Sequence, residues 1–194
     1  MSIPVAIAVY CGSRAGFDPR HHSAAVRLGQ ILARAGVALV YGGGSVGLMG
    51  DLADAVLAEG GTVIGVIPRF LVQREVGHPK LTELHVVETM HERKMLMFEL
   101  ADAYVVLPGG IGTLEELFEV MSWRVLNLHR KPIAVVDDGG YWIPLRAMIA
   151  RTIDGGFAAK EHARLLNFVD SVEDILPFVA SLSEADATSD ISKV

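Results

Sequence analysis

An apolar run over 103–107 passes without a break into Pro108-Gly-Gly-Ile-Gly112 and then into the amphipathic segment Thr113-Leu-Glu-Glu-Leu-Phe-Glu119. A buried strand that ends in a glycine turn and continues as a helix is half of a βαβ unit, which commits a chain to an α/β fold. The same order recurs twice upstream. An apolar run over 5–10 ends in Cys11-Gly-Ser-Arg14, where a ligand loop is expected, and a helical segment over 20–35 follows, with Ala25, Leu28, Ile31, Leu32 and Ala35 in register and Gly36 at its end. A second run over 37–41 leads into Gly42-Gly-Gly-Ser-Val-Gly-Leu-Met-Gly50 and a helix through Leu52, Ala55, Val56 and Ala58. Further strands are expected over 62–67, 84–87, 132–136 and 165–169, and further helices over 89–101, 113–126, 141–153 and 171–182. The stretch over 69–80, which carries Arg74 and Glu75, has no regular pattern. The expected architecture is one Rossmann-like α/β domain over 1–182, a parallel sheet with helices on both faces and right-handed crossovers. Residues 183–194 are polar and read as a frayed tail. In such a sheet ligands bind at the carboxyl ends of the strands, so the three glycine turns can share one pocket.

The pattern over 107–119 also has a chemistry. Gly109, Gly110 and Gly112 carry no Cβ, so backbone N–H groups can close on an anion, and a helix beginning near Thr113 adds its unpaired N–H groups and the positive end of its dipole. Glu115 and Glu116 fall in the first helical turn, which places acids beside a phosphate cradle. Thr113-Leu-Glu-Glu116 equally fits a capping box, in which Glu116 would only satisfy an orphan N–H. Three glycines in four positions exceed what a cap needs. Thr89 and Glu92 form a second candidate box at the start of the helix that carries Arg93 and Lys94, two cations at the end where the dipole opposes them. The methionine-rich face of that helix (Met90, Met95, Met97, Phe98) suits either core packing or a subunit contact.

Other chemistries find little support. Gly42-Gly-Gly-Ser-Val-Gly47 matches GxGxxG after a strand, but it follows the second strand, and the next strand ends in Ile67-Pro-Arg69, where a dinucleotide fold needs an acid for the ribose. No GxxxxGK[ST] is present. Histidines 21, 22, 78, 85, 91, 129 and 162 show no metal spacing, and the lone Cys11, at a strand end, reads as a small buried side chain. No cofactor or metal is expected. A formal charge of −6 over 194 residues argues against a nucleic-acid or anionic-membrane surface and for a small anionic ligand. A single cysteine, no basic leader and no apolar run near ~20 residues fit the cytoplasm.

Four motifs in order and spacing resemble one family. Pro108-Gly-Gly-Ile-Gly-Thr-Leu-Glu-Glu116 looks like its PGGxGTxxE signature, and Cys11-Gly-Ser13, Gly42 through Gly50 and Met90-His-Glu-Arg-Lys94 match the others. The chain is identified by this resemblance, over about 5–179, as a member of the LOG family of cytokinin riboside 5′-monophosphate phosphoribohydrolases, long mislabelled lysine decarboxylases. The resemblance implies a Rossmann-like, usually dimeric enzyme that hydrolyses the N-glycosidic bond of adenine-type nucleoside 5′-monophosphates to free base and ribose 5-phosphate, with no cofactor. It makes Arg93 and Glu116 the catalytic pair and places Glu115 against the ribose. Gly109, Gly110, Gly112 and Thr113 would hold the phosphate, with Gly12, Ser13, Gly43, Gly44, Glu75, Met90 and Lys94 as further substrate contacts. Two alternatives stay open: a plain AMP nucleosidase, and a nucleotide carrier without turnover.

Overall fold

A computed structural model describes residues 4–72 and 77–182. Arg74 and the expected substrate contact Glu75 lie outside the described residues, as does the tail over 183–194. Seven strands form one sheet: β1 (Ala6–Tyr10), β2 (Ala38–Tyr41), β3 (Val63–Pro68), β4 (Glu83–Val87), β5 (Ala103–Val106), β6 (Ile133–Val136) and β7 (Asn167–Val169). All neighbours run parallel, in the order β4-β3-β2-β1-β5-β6-β7. From β1 the chain winds outward to β4, then crosses to β5 and winds the other way. The switch therefore lies between β1 and β5, which pair from Ile7 with Ala103 to Tyr10 with Val106. Connections leave these two strands in opposite directions, which opens a crevice at their carboxyl ends.

Both faces of the sheet are covered, so its central strands read as continuous apolar runs. Ile7, Val9 and Cys11 point to one core, completed by Leu28 and Leu32 of α1 (Pro19–Arg34), Leu52 and Val56 of α2 (Gly47–Ala58), and Ile175 and Val179 of a last helix, α6, over 175–182. Ala6, Ala8 and Tyr10 point to the other. There they meet Met97 of α3 (Met90–Leu100), Leu117 and Val120 of α4 (Ile111–Val125), and Leu145 and Ile149 of α5 (Ile143–Asp154). Among the described residues no helix is long and apolar enough to cross a membrane.

Helix starts show what fixes each loop. Asp18 caps α1 by accepting the Arg20 N–H at 3.0 Å, with Pro19 as the first helical residue. At α3 the Thr89 hydroxyl accepts the Glu92 N–H at 3.1 Å, as the capping box requires. The return bond goes to the N–H of Glu88 at 2.9 Å, one residue before the cap. The box expected at Thr113 does not form. Helix α4 begins at Ile111, inside the glycine turn, because extended Gly110 (φ −95°, ψ −154°) acts as its N-cap without a side-chain bond. Thr113 is thus the third helical residue and is buried, and Glu116 lies beyond any capping position. Helix α5 starts two residues later than expected, since Gly139 and Gly140 both take positive φ (77° and 79°). Strand β7 is shorter than 165–169, and the stretch expected as one helix over 171–182 divides into a 3₁₀ turn at Val172–Asp174 and α6.

Candidate active site

The first internal bond of α4 runs from the Leu114 N–H to the Gly110 C=O at 3.0 Å. The N–H groups of Ile111, Gly112 and Thr113 therefore have no acceptor within the helix and emerge at its start, where the dipole is positive. This start lies over the β1–β5 switch, and the Gly12 N–H joins the two loops by donating to the Pro108 C=O at 3.0 Å. A cavity of about 880 Å³ opens there. Ten of the expected site residues line it: Gly12 and Ser13 after β1, Met90 and Arg93 from α3, and Gly109, Gly110, Gly112, Thr113, Glu115 and Glu116 after β5.

Arg93 forms the floor. Only 5% exposed, its Nη2 donates to the Gly42 C=O at 3.3 Å and lies 3.9 Å from Glu116 Oε1, while Nη1 is 3.9 Å from the Met90 sulfur. A side chain at position 42, directly after β2, would collide with the guanidinium where it now lies. The Glu116 side chain is 12% exposed, and its partner sits in the same low-dielectric setting. Glu115, one residue away, belongs to the rim. Half exposed, it takes the Lys94 ammonium at 2.6 Å, and the same ammonium meets Glu119 at 2.9 Å. Burial works against the Lys94 charge, but the two carboxylates outweigh it and hold its pKa above the usual lysine value. Burial first, and then the charge of Glu116, push the Cys11 thiol far up, so it stays protonated and is no nucleophile.

Three expected contacts sit elsewhere or one step behind. Lys94 reaches the cavity only through Glu115. Gly43 and Gly44 do not line it. The Gly43 C=O accepts the His78 N–H at 2.9 Å, and Gly44 bridges antiparallel to Gly77, so this turn ties down the β3–β4 connection. The second glycine turn still serves the pocket through Gly42, under Arg93, and through Leu48 and Met49 at the start of α2. Arg14, in the loop expected after β1, also lines the cavity, and sequence reasoning misses Phe17, His21 and Tyr141, which line it as well. Arg14 and Phe17 follow the first glycine motif directly, and the loop after β6 adjoins β5 in the sheet. Only the strand order would have brought Tyr141 into view.

An anion cradle beside a half-buried carboxylate and a buried arginine suits chemistry on a phosphorylated sugar. The family model described as "Possible lysine decarboxylase" matches residues 49–179. A cytokinin riboside 5′-monophosphate phosphoribohydrolase of Rhodococcoides fascians is 48% identical over 155 residues, 79% of this chain and 78% of that protein. The cytokinin riboside 5′-monophosphate phosphoribohydrolase LOG of Oryza sativa subsp. japonica is 46% identical over 160 residues, 82% of this chain and 66% of that one. Among solved structures, the molybdenum cofactor binding protein of Rippkaea orientalis covers 94% of this chain and 98% of its own with a TM-score of 0.70. At 20% identity this is a likeness of fold. By these matches to its sequence and its motifs, the chain belongs to the LOG family, the group whose model carries the lysine decarboxylase description.

Proposed function

We propose that the chain is an N-glycosyl hydrolase that releases free base and ribose 5-phosphate from adenine-type nucleoside 5′-monophosphates, cytokinin riboside 5′-monophosphates and AMP among them. The observation that carries this reading is the Glu116 carboxylate, its side chain only 12% exposed, 3.9 Å from Arg93 and on the first turns of the helix whose start forms the anion cradle. Relatives at 46–48% identity are named for that reaction.

The chemistry follows from the placement. The bond from C1′ to the base breaks with its electron pair leaving on the base, and positive charge builds on the ribose ring. A carboxylate beside C1′ stabilises that charge and takes a proton from the attacking water, which completes ribose 5-phosphate, while the departing base takes up a proton from solvent and the carboxylate later returns its own to solvent. Arg93 fixes the direction of the carboxylate and, through Gly42, its distance from the sheet. The 5′-phosphate on Gly109, Gly110, Gly112 and Thr113 is remote from the reacting bond, so its binding energy positions C1′. Incubation with AMP, with isopentenyladenosine monophosphate and with adenosine, followed by an assay for free base, tests the reading. Both nucleotides should release base, and adenosine should have a kcat/KM lower by roughly 10²-fold or more, on the scale of a lost charged contact. Binding of nucleotide with no base released would leave a carrier, and equal kcat/KM for adenosine would remove the phosphate from the account.

The proposal includes a homodimer. Ile111, Phe118 and Val125 stand seven residues apart on one stripe of α4 and are 82%, 40% and 37% exposed, with Leu126 and Leu128 at 66% just beyond its end. Exposed apolar side chains aligned in this way favour association. Helix α3 contributes less than its methionines suggest. Met97 is 1% exposed inside its own subunit, and Phe98 packs edge-on against Trp123 and His129. Light scattering should give a dimer at micromolar concentration, and Phe118→Glu together with Val125→Lys should give a folded monomer; a monomeric wild type would refute this. A cytoplasmic location, which suits the lone thiol Cys11, and a single unit over 1–182 complete the reading.

A further inference from the structure

The glycine turn that would receive the phosphate is held from outside. Gly109 and Gly110 have no side chains through which the fold could order them, and glycine backbone is the most costly to immobilise. Two hydrogen bonds from other loops supply the order. The Gly12 N–H holds the Pro108 C=O at 3.0 Å, and the Tyr141 O–H, from the loop between β6 and α5, holds the Gly109 C=O at 2.7 Å. In a trans peptide the C=O and N–H of one plane point in opposite directions. Pinning the Pro108 oxygen therefore directs the Gly109 N–H, and pinning the Gly109 oxygen directs the Gly110 N–H. Gly110 is the N-cap of α4, so its plane also sets the line along which the helix and its three unbonded N–H groups begin.

Tyr141 is built to hold still. Its ring meets His21 of α1 edge-on at 5.3 Å and Trp142 at 4.8 Å. Trp142 is 3% exposed, and its backbone N–H donates to the Asp137 carboxylate at 2.7 Å. One side of the tyrosine thus rests on the frame of the protein, and its hydroxyl reaches across to the Gly109 carbonyl of the cradle. We propose that Tyr141 is a positioning residue for the phosphate subsite: it holds the Gly109–Gly110 peptide in the orientation an incoming 5′-phosphate requires, so that the anion meets donors already ordered. The inference rests on the cavity being a nucleoside 5′-monophosphate site, and it deepens that reading. Without the hydroxyl the peptide can rotate, and the phosphate must order it on binding.

Tyr141→Phe removes the O–H and keeps the ring against His21 and Trp142. One hydrogen bond of ordinary net strength corresponds to roughly 3- to 10-fold in affinity. The Kd for ribose 5-phosphate by titration calorimetry and the KM for AMP should each rise by about that factor. The kcat for AMP, the kcat/KM for adenosine and the melting temperature of the unliganded protein should stay close to wild type. A role in stability alone would lower the melting temperature and affect adenosine and AMP alike. An unchanged ribose 5-phosphate Kd, or an equal loss with adenosine, overturns the assignment. If the wild type releases no base from AMP, the hydrolase reading falls, and the ribose 5-phosphate titration still decides Tyr141 by itself.

Discussion

Glu115 and Glu116 are adjacent in sequence and about 100° apart around α4, and that angle separates their roles. Glu115 turns to the rim, where water screens its pair with Lys94. Glu116 turns inward to Arg93, where few water dipoles compete and a full charge acts strongly on a cationic transition state. Glu116→Gln should lower kcat for AMP by roughly 10²-fold or more and leave AMP binding largely intact. It should also cost about 1–3 kcal/mol of stability, since the buried arginine loses a charged neighbour. Glu115→Gln should change kcat by less than about tenfold, the scale of a surface ion pair. Steady-state kinetics and urea denaturation of the two variants check this. A Glu116→Gln enzyme near wild-type rate would shift the chemistry to Glu115. Because α4 starts at Ile111, neither substitution disturbs a cap, and Thr113→Ala, with Thr113 buried at the third helical position, should cost packing and phosphate contact but no capping energy.

Among the elements, α1 and α2 approach each other closely at Gly29. A Cβ there would lie 2.7 Å from the Leu52 C=O and 2.8 Å from the Ala55 Cβ. Mid-helix glycine costs about 0.5–1 kcal/mol against alanine, so a helix retains it only where backbone must approach backbone. Gly29→Ala should therefore destabilise by about 1–3 kcal/mol despite its better helix propensity. It should also raise the KM for AMP, because α2 carries Leu48 and Met49 into the cavity. A gain in urea midpoint would mean the helices separate at little cost. The need for this glycine is invisible in sequence, where it stands among ordinary helix formers. What sequence does show is whatever repeats locally: the apolar runs, the 3.6-residue registers and the motif residues that line the cavity. It does not mark α4 starting at Ile111, because Gly110 adopts the capping backbone with no side chain to signal it. Nor does it tell a ligand turn from a strut: Gly109 and Gly110 line the cavity, whereas Gly43 and Gly44 fasten a neighbouring connection. Tyr141 reaches Gly109 across 32 residues, a contact that follows only from β5 and β6 being neighbours.

At the scale of the whole molecule, His129 ties one helix layer to the sheet. Buried at 7% exposure, its Nε2–H donates to the Val120 C=O of α4 at 2.9 Å, and its Nδ1 accepts the Lys131 N–H at 3.1 Å just before β6. Those partners require the neutral Nε2–H tautomer, and the ring lies edge-on to Phe98 and Tyr104. Burial, aided by the nearby charges of Arg124 and Lys131, lowers its pKa below 6.5 against the pull of the Val120 carbonyl. A base with a depressed folded pKa binds its proton more readily when unfolded. Stability is therefore complete above pH 6.5 and declines as pH falls below it, levelling off only beneath the folded pKa. The depressed carboxylates act in a separate window. Asp18, held at about 2 by Arg20, and Glu59, Glu88 and Glu173, each lowered by an arginine, give up their contributions only as pH falls below about 5. Urea midpoints measured from pH 5 to 8 should thus fall on the acid side in the wild type. His129→Gln preserves a donor to Val120 and removes the titrating ring. It should be less stable at pH 7.5, where the Lys131 N–H loses its acceptor, yet nearly flat from pH 5 to 7. The same acid slope in both proteins would assign the sensitivity to another group and leave His129 as packing alone.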